Sequence, residues 1–268
     1  MYKTLIGVWS YLKMMYFRKQ MKHYKNSITR IVTLLIFCAP FIGCAQTPNN
    51  EKKVLKVKEI QYDQKVDLPK VSELLEEHAE LQSIDLLNWD EFQYHPEVNF
   101  RIAHSNNQIW LKYYVKEKSI LAAVTETNGP VAGDSCVEFF FDPQANGNYY
   151  NFEFSCIGTT HLAYGPARKE RVFVEPEIIE KEILVSSSLG NQSFVENTGE
   201  HSWEMTIIIP ASSLVHDQGI QLKGMTTNAN FYKCGDKSAE KHYLTWNPVG
   251  TERPDYHRPE FFGTVIFE

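Results

Sequence analysis

Short runs of alternating hydrophobic and polar residues occupy the chain from Asn99 onward. Turn-forming segments such as Asn128-Gly129-Pro130 and Gly190-Asn191 separate these runs. Many short strands with brief turn-rich spacers are typical of an antiparallel sandwich, and they argue against βαβ units. The strand candidates are residues 100–104, 109–117, 121–126, 135–142, 149–157, 172–174, 183–187, 203–209, 221–231, 243–246 and 263–267.

Two further elements are predicted before these strands. Residues 54–60 alternate in polarity and predict a first strand. Residues 69–79 begin with a proline, a residue favoured in the first turn of a helix, and contain Leu74 and Leu75, so they predict one short helix. We therefore predict an all-β fold, an antiparallel β-sandwich with a short N-terminal helix.

Residues 135–142 and 149–157 predict a hairpin. When Glu138 is paired with Glu153, the side chains of this hairpin fall on two faces of different polarity. One face is apolar and is expected in the core: Val137, Phe139, Phe141, Tyr150, Phe152 and Phe154. The opposite face is mixed: Cys136, Glu138, Phe140, Asn151, Glu153 and Ser155. Carboxylates, an amide and a hydroxyl beside a ring suit a polyhydroxylated ligand, although a solvated face has a similar pattern.

The first 43 residues carry seven basic side chains and no acidic one, and they end in an apolar run that starts at Ile31. That run is shorter than the ~20 residues needed to cross a bilayer, and it is typical of an export signal. The ending Phe41-Ile42-Gly43-Cys44 resembles a bacterial lipobox, in which the cysteine is lipidated; an ordinary signal peptide is the alternative. The sequence predicts a signal peptide (1–43), a tether with the first strand (44–65) and a sandwich domain (66–268). The protein is therefore expected to be exported and membrane-anchored, in the periplasm, the outer membrane or at the cell surface.

The remaining 225 residues carry 33 acidic and 20 basic side chains. This excess of negative charge argues against a nucleic-acid partner, because phosphates would be repelled. Three cysteines remain after Cys44, namely Cys136, Cys156 and Cys234, and their spacing does not suggest zinc. Buried free thiols or a single disulfide are both compatible with this number.

Five motifs occur in series along residues 85–268: 133–141 (GDSCVEFFF), 149–158 (YYNFEFSCIG), 230–236 (NFYKCGD), 242–246 (HYLTW) and 255–263 (DYHRPEFFG). Together they resemble the family 9-like carbohydrate-binding modules of the stand-alone bacterial lipoprotein type. The resemblance implies a β-sandwich that binds oligosaccharide or polysaccharide without catalysis and supports carbohydrate catabolism by partner glycoside hydrolases. It requires no cofactor, although calcium is frequent in the family, and Asp142, Asn146 and Asn148 can supply oxygen ligands.

The resemblance also implies particular sugar contacts. The family's acidic contact corresponds to Glu138 and one of its two clamp aromatics to Tyr256. The position of the second clamp aromatic holds Ala132, and Glu153 stands where an arginine is common. Further ligand-binding candidates are Asn151, Glu153, Trp246 and Arg253.

Alternative functions remain open at the level of sequence. Glu138 and Glu153, if directly opposite, would have Cβ atoms ~5 Å apart, which resembles the ~5–5.5 Å carboxyl separation of retaining glycoside hydrolases. A structural surface lipoprotein with a decayed sugar site is the second alternative, and a haem-carrying sandwich is the third.

Overall fold

The structure is a computed structural model that describes residues 52–62, 64–65 and 67–268, together with Met15 and Arg18. Cys44, the predicted tether up to residue 51 and the predicted signal peptide apart from Met15 and Arg18 lie outside the described residues. Within the described part of the chain, no helix is long and apolar enough to cross a membrane.

Fourteen strands and two α-helices make up the described fold. In chain order they are β1 (Val54–Glu59), α1 (Leu68–His78), β2 (Gln82–Ser83), β3 (Leu86–Leu87), β4 (Glu97–Ser105), β5 (Gln108–Ala122), β6 (Cys136–Asp142), β7 (Tyr149–Ser155), β8 (Thr160–Gly165), β9 (Val172–Phe173), α2 (Pro176–Glu182), β10 (Leu184–Ser187), β11 (Phe194–Pro210), β12 (Thr226–Cys234), β13 (Tyr243–Thr245) and β14 (Gly263–Phe267).

The strands form the predicted β-sandwich, with two layers that share β1. One layer has the order β10-β11-β5-β4, and the other has the order β14-β12-β6-β7-β8-β9. Residues 54–57 of β1 pair in parallel with β14, and Lys58 and Glu59 pair in parallel with β4. The first strand, which the sequence grouped with the tether, thus belongs to both layers of the sandwich.

The apolar face of the β6–β7 hairpin lies in the core between the layers, as predicted. Glu138 pairs with Glu153 in the register that alternation required. The six apolar side chains of that face are completely buried, as expected from the pattern: Val137, Phe139, Phe141, Tyr150, Phe152 and Phe154. Phe231 of β12 stacks on Phe139, with ring centroids 4.9 Å apart, and on Phe100 of the opposite layer at 4.1 Å. Aromatic stacking therefore ties the two layers together.

Helix α1 covers the outer face of the β5 layer. Asp67 caps its N-terminus by accepting a hydrogen bond from the backbone N–H of Lys70 at 2.9 Å. The helix buries Val71 and Leu75 in a small apolar cluster with Trp110 of β5. The short N-terminal helix that the sequence predicted is confirmed.

Several elements differ from the prediction. The two-residue strands β2 and β3 were not predicted, the strand predicted at 203–209 extends back to Phe194 as β11, and the strand predicted at 221–231 is β12. The predicted strands 109–117 and 121–126 are one continuous strand, β5, because it pairs from end to end with the slightly longer β11. Strand β8 and helix α2 were missed. Consecutive residues of β8 are buried on both faces of the strand: Thr160, His161, Leu162 and Ala163. The strand therefore lacks the alternation of polar and apolar residues from which a strand is recognised in a sequence.

Candidate functional site

The mixed face of the hairpin is not open to solvent, as a plain solvated face would be. Residues 247–262 fold over it, and their side chains form a second apolar cluster with Phe140, Tyr149 and Tyr232. Glu138 and Glu153 are accordingly only 3% and 6% exposed. The cover leaves one opening above the two glutamates.

This opening is a pocket of about 380 Å³. Four carboxylates and one guanidinium reach it, so its chemistry is predominantly acidic and hydrogen-bonding. The lining residues are Ala132, Glu138, Glu153, Arg168, Cys234, Asp236, Tyr243, Pro254, Asp255, Tyr256 and His257.

Glu138 lies at the bottom of the pocket, in the middle of a row that crosses three strands. Its cross-strand neighbours are Tyr232 on β12 and Glu153 on β7. Burial, and then the charge of Glu153, raise the pKa of Glu138 well above its usual value, although a hydrogen bond from the Cys234 thiol at 3.0 Å acts in the opposite direction. A carboxyl group in this environment favours its protonated form, which can donate as well as accept a hydrogen bond.

Glu153 is held by groups from β7, β8 and the loop that follows β8. The Asn151 side-chain amide donates to its Oε1 at 2.8 Å. Arg171 Nη1 and His161 Nε2 lie 3.8 and 3.9 Å from the same oxygen. The guanidinium that is absent from the second hairpin strand is therefore supplied by Arg171, from a different element. Asn151 is completely buried and positions Glu153 rather than lining the pocket.

Tyr256 lies in the wall of the pocket, but it is not an open platform. Its ring stacks on Tyr232, with centroids 4.0 Å apart and planes 12° apart, and it is only 6% exposed. The Tyr256 hydroxyl donates to the backbone carbonyl of Lys233 at 3.0 Å. The family resemblance implied an aromatic platform for the sugar at Tyr256, but one face of this ring is covered by Tyr232. The half-buried Tyr243, which also lines the pocket, is the more accessible ring.

Trp246 and Arg253 are not part of this pocket. Trp246 is packed into the main core, where its ring meets Phe231 edge to face at 5.6 Å. A Cβ atom at Gly263 would collide with the Trp246 ring, which explains why glycine is required there. Arg253 is exposed, next to the lining residue Pro254. The interpretation of Trp246 as a sugar contact is corrected, because alternation in a short strand does not distinguish the two faces.

Several lining residues were not among the predicted site residues, including the charged residues Arg168, Asp236 and Asp255. Arg168 Nη2 forms an ion pair with Asp255 Oδ1 at 3.2 Å across the mouth of the pocket. Three of the five residues 167–171 are basic, which is unusual in this acidic chain. This local positive charge is the feature of the sequence from which Arg168 could have been proposed as a site residue. Asp236 ends the motif of residues 230–236, and its position beside the pocket depends on the pairing of β12 with β13.

The hairpin loop proposed for calcium is a self-contained turn. Asp142 accepts hydrogen bonds from the backbone N–H groups of Asn146 at 3.1 Å and Gly147 at 2.8 Å. Both carboxylate oxygens thus accept from backbone donors, as in other turns built by aspartate, and this accounts for the loop as a turn. Calcium binding by these residues stays a prediction.

A second concavity, of about 410 Å³, lies on the outer face of the other layer. It is lined by Tyr114, Trp203, Glu97 and Glu204, among others. We favour the pocket above Glu138 as the functional site because carboxylates from four separate chain segments converge there.

His257 is a buried neutral histidine in the wall of the pocket. Its Nδ1 lies 2.8 Å from the Tyr149 hydroxyl. Burial, and then the nearby charges of Arg168 and Arg171, lower its pKa to about 2.

The His257→Gln variant is expected to lose part of the pH dependence of stability. Below pH ~6.5 the unfolded chain protonates this histidine and the folded protein does not, so stability falls as pH falls. Between pH 6.5 and pH 4.5 this residue should account for about 2 kcal/mol of lost free energy of unfolding. Urea unfolding at the two pH values measures the difference. His78→Gln, on the exposed surface of α1, is the control, and an equal pH dependence in wild type and His257→Gln would contradict the assignment.

Comparison with known proteins gives the family. The sequence model of carbohydrate-binding family 9 matches residues 69–267. The chain is 41% identical to a "putative carbohydrate-binding protein" from Bacteroides uniformis; the match covers 81% of this chain and 100% of that crystal structure, with a TM-score of 0.78. A family 9 module from Caldicellulosiruptor kristjanssonii in complex with cellotriose shares the fold, with 12% identity, 81% and 94% coverage and a TM-score of 0.51. A comparison with curated proteins found no match. The chain belongs to carbohydrate-binding family 9.

Proposed function

We propose that this protein is a non-catalytic, lipid-anchored module that binds oligosaccharide or polysaccharide outside the cytoplasm and supports carbohydrate breakdown by separate glycoside hydrolases. Family membership supports the binding of sugars. The observation that carries the proposal is the acidic pocket in which Glu138, Glu153 and Asp236 converge beside Tyr243. The signal-peptide pattern that ends at Cys44 supports export and anchoring.

The pocket offers the two kinds of contact that a sugar ring needs. A protonated Glu138 can donate to a ring or hydroxyl oxygen, and the other carboxylates can accept from hydroxyls. The face of Tyr243 can cover an apolar C–H surface. Each charge-assisted hydrogen bond that is shielded from water contributes roughly 1.5–3 kcal/mol, so two of them are sufficient to set specificity.

The surroundings of Glu138 and Glu153 argue against the alternative function, a glycoside hydrolase. In a retaining mechanism one carboxylate must approach the anomeric carbon from the face opposite the acid. Here Asn151 and the neighbouring Arg171 hold Glu153, which is nearly as buried as Glu138. Oligosaccharides incubated with the protein should therefore be recovered intact by mass spectrometry, and release of shorter products would support the hydrolase.

Calorimetric titration with xylo-, cello- and manno-oligosaccharides tests the proposal. We expect one of the three series to bind, with at least tenfold weaker binding for Asp236→Asn and for Tyr243→Ala, because a tenfold change corresponds to ~1.4 kcal/mol. Tyr256→Phe should have the smaller effect, since its ring face is already covered by Tyr232.

Tyr114→Ala is the matched control, because Tyr114 lines the concavity on the other layer. It is expected to leave binding unchanged. The absence of binding by every series would favour the structural lipoprotein with a decayed site. Loss of binding in Tyr114→Ala, with retention in Tyr243→Ala, would locate the sugar in the concavity beside Tyr114 and would contradict the proposal.

A further inference from the structure

Two thiols and a carboxyl group meet beneath the sugar pocket. Cys136 on β6 is directly opposite Cys234 on β12, and Glu138 follows Cys136 on the same face of β6. One ligand atom from each of the three residues lies within 4.8 Å of the others, and all three residues are buried. We call Cys136, Glu138 and Cys234 the thiol–carboxylate cluster.

The cluster is open to the solvent from one side. Glu138 and Cys234 line the pocket, so an ion can reach them without opening the core. Within the described residues, the Cys234 thiol is the sole hydrogen-bond donor to the Glu138 carboxyl group. A buried carboxyl group whose only partner is a thiol lacks the cation or multiple donors that usually accompany it.

The surroundings favour a positive ion. Glu153 lies opposite Glu138, and Asp236 and Asp255 line the same pocket. Arg168 is the only lining residue with a permanent positive charge, and it already pairs with Asp255. A dication bound in place of the Glu138 proton would stabilise the charged form of Glu138 and would also be attracted by the other carboxylates of the pocket.

We propose that the thiol–carboxylate cluster binds a thiophilic divalent cation of the zinc class. Two sulfur ligands and one oxygen ligand would occupy three positions of a tetrahedron, and the fourth would face the pocket and hold water. Tetrahedral bonds of ~2.0–2.3 Å place ligand atoms about 3.5 Å apart, so the three side chains need only a small inward rotation.

Binding must release protons. Each thiol loses one proton to become a thiolate ligand, and the Glu138 carboxyl group loses its own proton when it ligates the ion. Burial raises the pKa of Cys136 to about 12, and the hydrogen bond with Cys136, followed by burial, raises the pKa of Cys234 well above its usual value, so these protons are present before binding. Affinity should therefore increase steeply with pH.

The full-length reduced protein can be titrated with Cd²⁺, because cadmium–thiolate bonds absorb in the near ultraviolet. We expect this charge-transfer band to saturate at one equivalent and to be displaced by Zn²⁺. Cys136→Ser and Cys234→Ser should each weaken binding at least tenfold. Cys156→Ser is the matched control, because Cys156 is also a buried free thiol but belongs to the main core.

Glu138→Gln provides a test that keeps both thiols. It should retain the absorption band, bind about tenfold more weakly and release one proton fewer than wild type in an unbuffered titration. No band in the wild type would overturn the proposal. A band that persists in the Cys136→Ser/Cys234→Ser double variant would also overturn it, since the signal would then come from another cysteine. If the serine variants fail to fold, the Cd²⁺ affinity of Glu138→Gln decides, and an affinity equal to that of wild type contradicts the site. This titration contains no sugar, so it stands or fails independently of the proposed function.

Discussion

Replacement of Lys233 by methionine is expected to lower the free energy of unfolding by about 3–5 kcal/mol. Lys233 and Glu117 are completely buried, and the Lys233 ammonium lies 2.8 Å from Glu117 Oε2. The Trp203 indole donates to the other carboxylate oxygen at 2.8 Å. Without Lys233 the Glu117 charge would remain in the interior without its ammonium partner, and the nearest basic group described would be His242 Nε2, 3.9 Å from Oε2. Removal of one partner from a buried pair is what makes such changes costly.

The substitution should also disturb the candidate site, because the Lys233 backbone carbonyl accepts a hydrogen bond from the Tyr256 hydroxyl in the wall of the pocket. Urea unfolding provides the measurement. Lys118→Met is the control, because Lys118 is exposed on the strand that carries Glu117. The double variant Lys233→Met/Glu117→Gln should recover much of the loss, since the amide has no net charge and still accepts from Trp203. If the free energy of unfolding of Lys233→Met is lower than that of wild type by less than ~1 kcal/mol, the Lys233–Glu117 ion pair is not buried as described.

The Phe231→Ala variant should destabilise the protein by a similar amount, about 3–5 kcal/mol. The Phe231 ring stacks on Phe100 and Phe139 and meets Trp246 edge to face, so alanine would leave a cavity between the two layers. The surrounding strands are hydrogen-bonded on both sides and cannot collapse fully into that space.

Phe173→Ala is the comparison for this variant, because Phe173 lies on the short strand β9 and is 59% exposed. It is expected to change the free energy of unfolding by less than ~0.5 kcal/mol. Thermal or urea unfolding of both variants provides the measurement. Equal effects of the two substitutions would contradict the placement of Phe231 between the layers.

Local pattern was sufficient for the architecture and for the central hairpin. The period of two in residues 135–142 and 149–157 fixes which side chains are buried, and a shift of one residue would have placed Phe139 and Phe152 outside the core. The pairing of Glu138 with Glu153 follows from the same constraint. These predictions depend on residues close together in the chain.

The second wall of the pocket could not be predicted in this way. Residues 247–262 cover the hairpin from more than 90 positions away, and no local period records that contact. Long-range packing also decides the environments of Tyr256 and Trp246. The family resemblance identified Tyr256, and Trp246 was a further candidate, yet Tyr256 stacks on Tyr232 and Trp246 enters the main core. Arg168 was missed because strand β8, which positions it, has no polar alternation.

A crystal structure of the protein with an oligosaccharide that binds in the calorimetric titrations tests the location of the sugar most directly. We expect electron density for the sugar in the pocket of about 380 Å³, within hydrogen-bond distance of Glu138, Glu153 or Asp236 and beside the Tyr243 ring. Density for the sugar in the concavity beside Tyr114, with the pocket above Glu138 containing only water, would contradict this location.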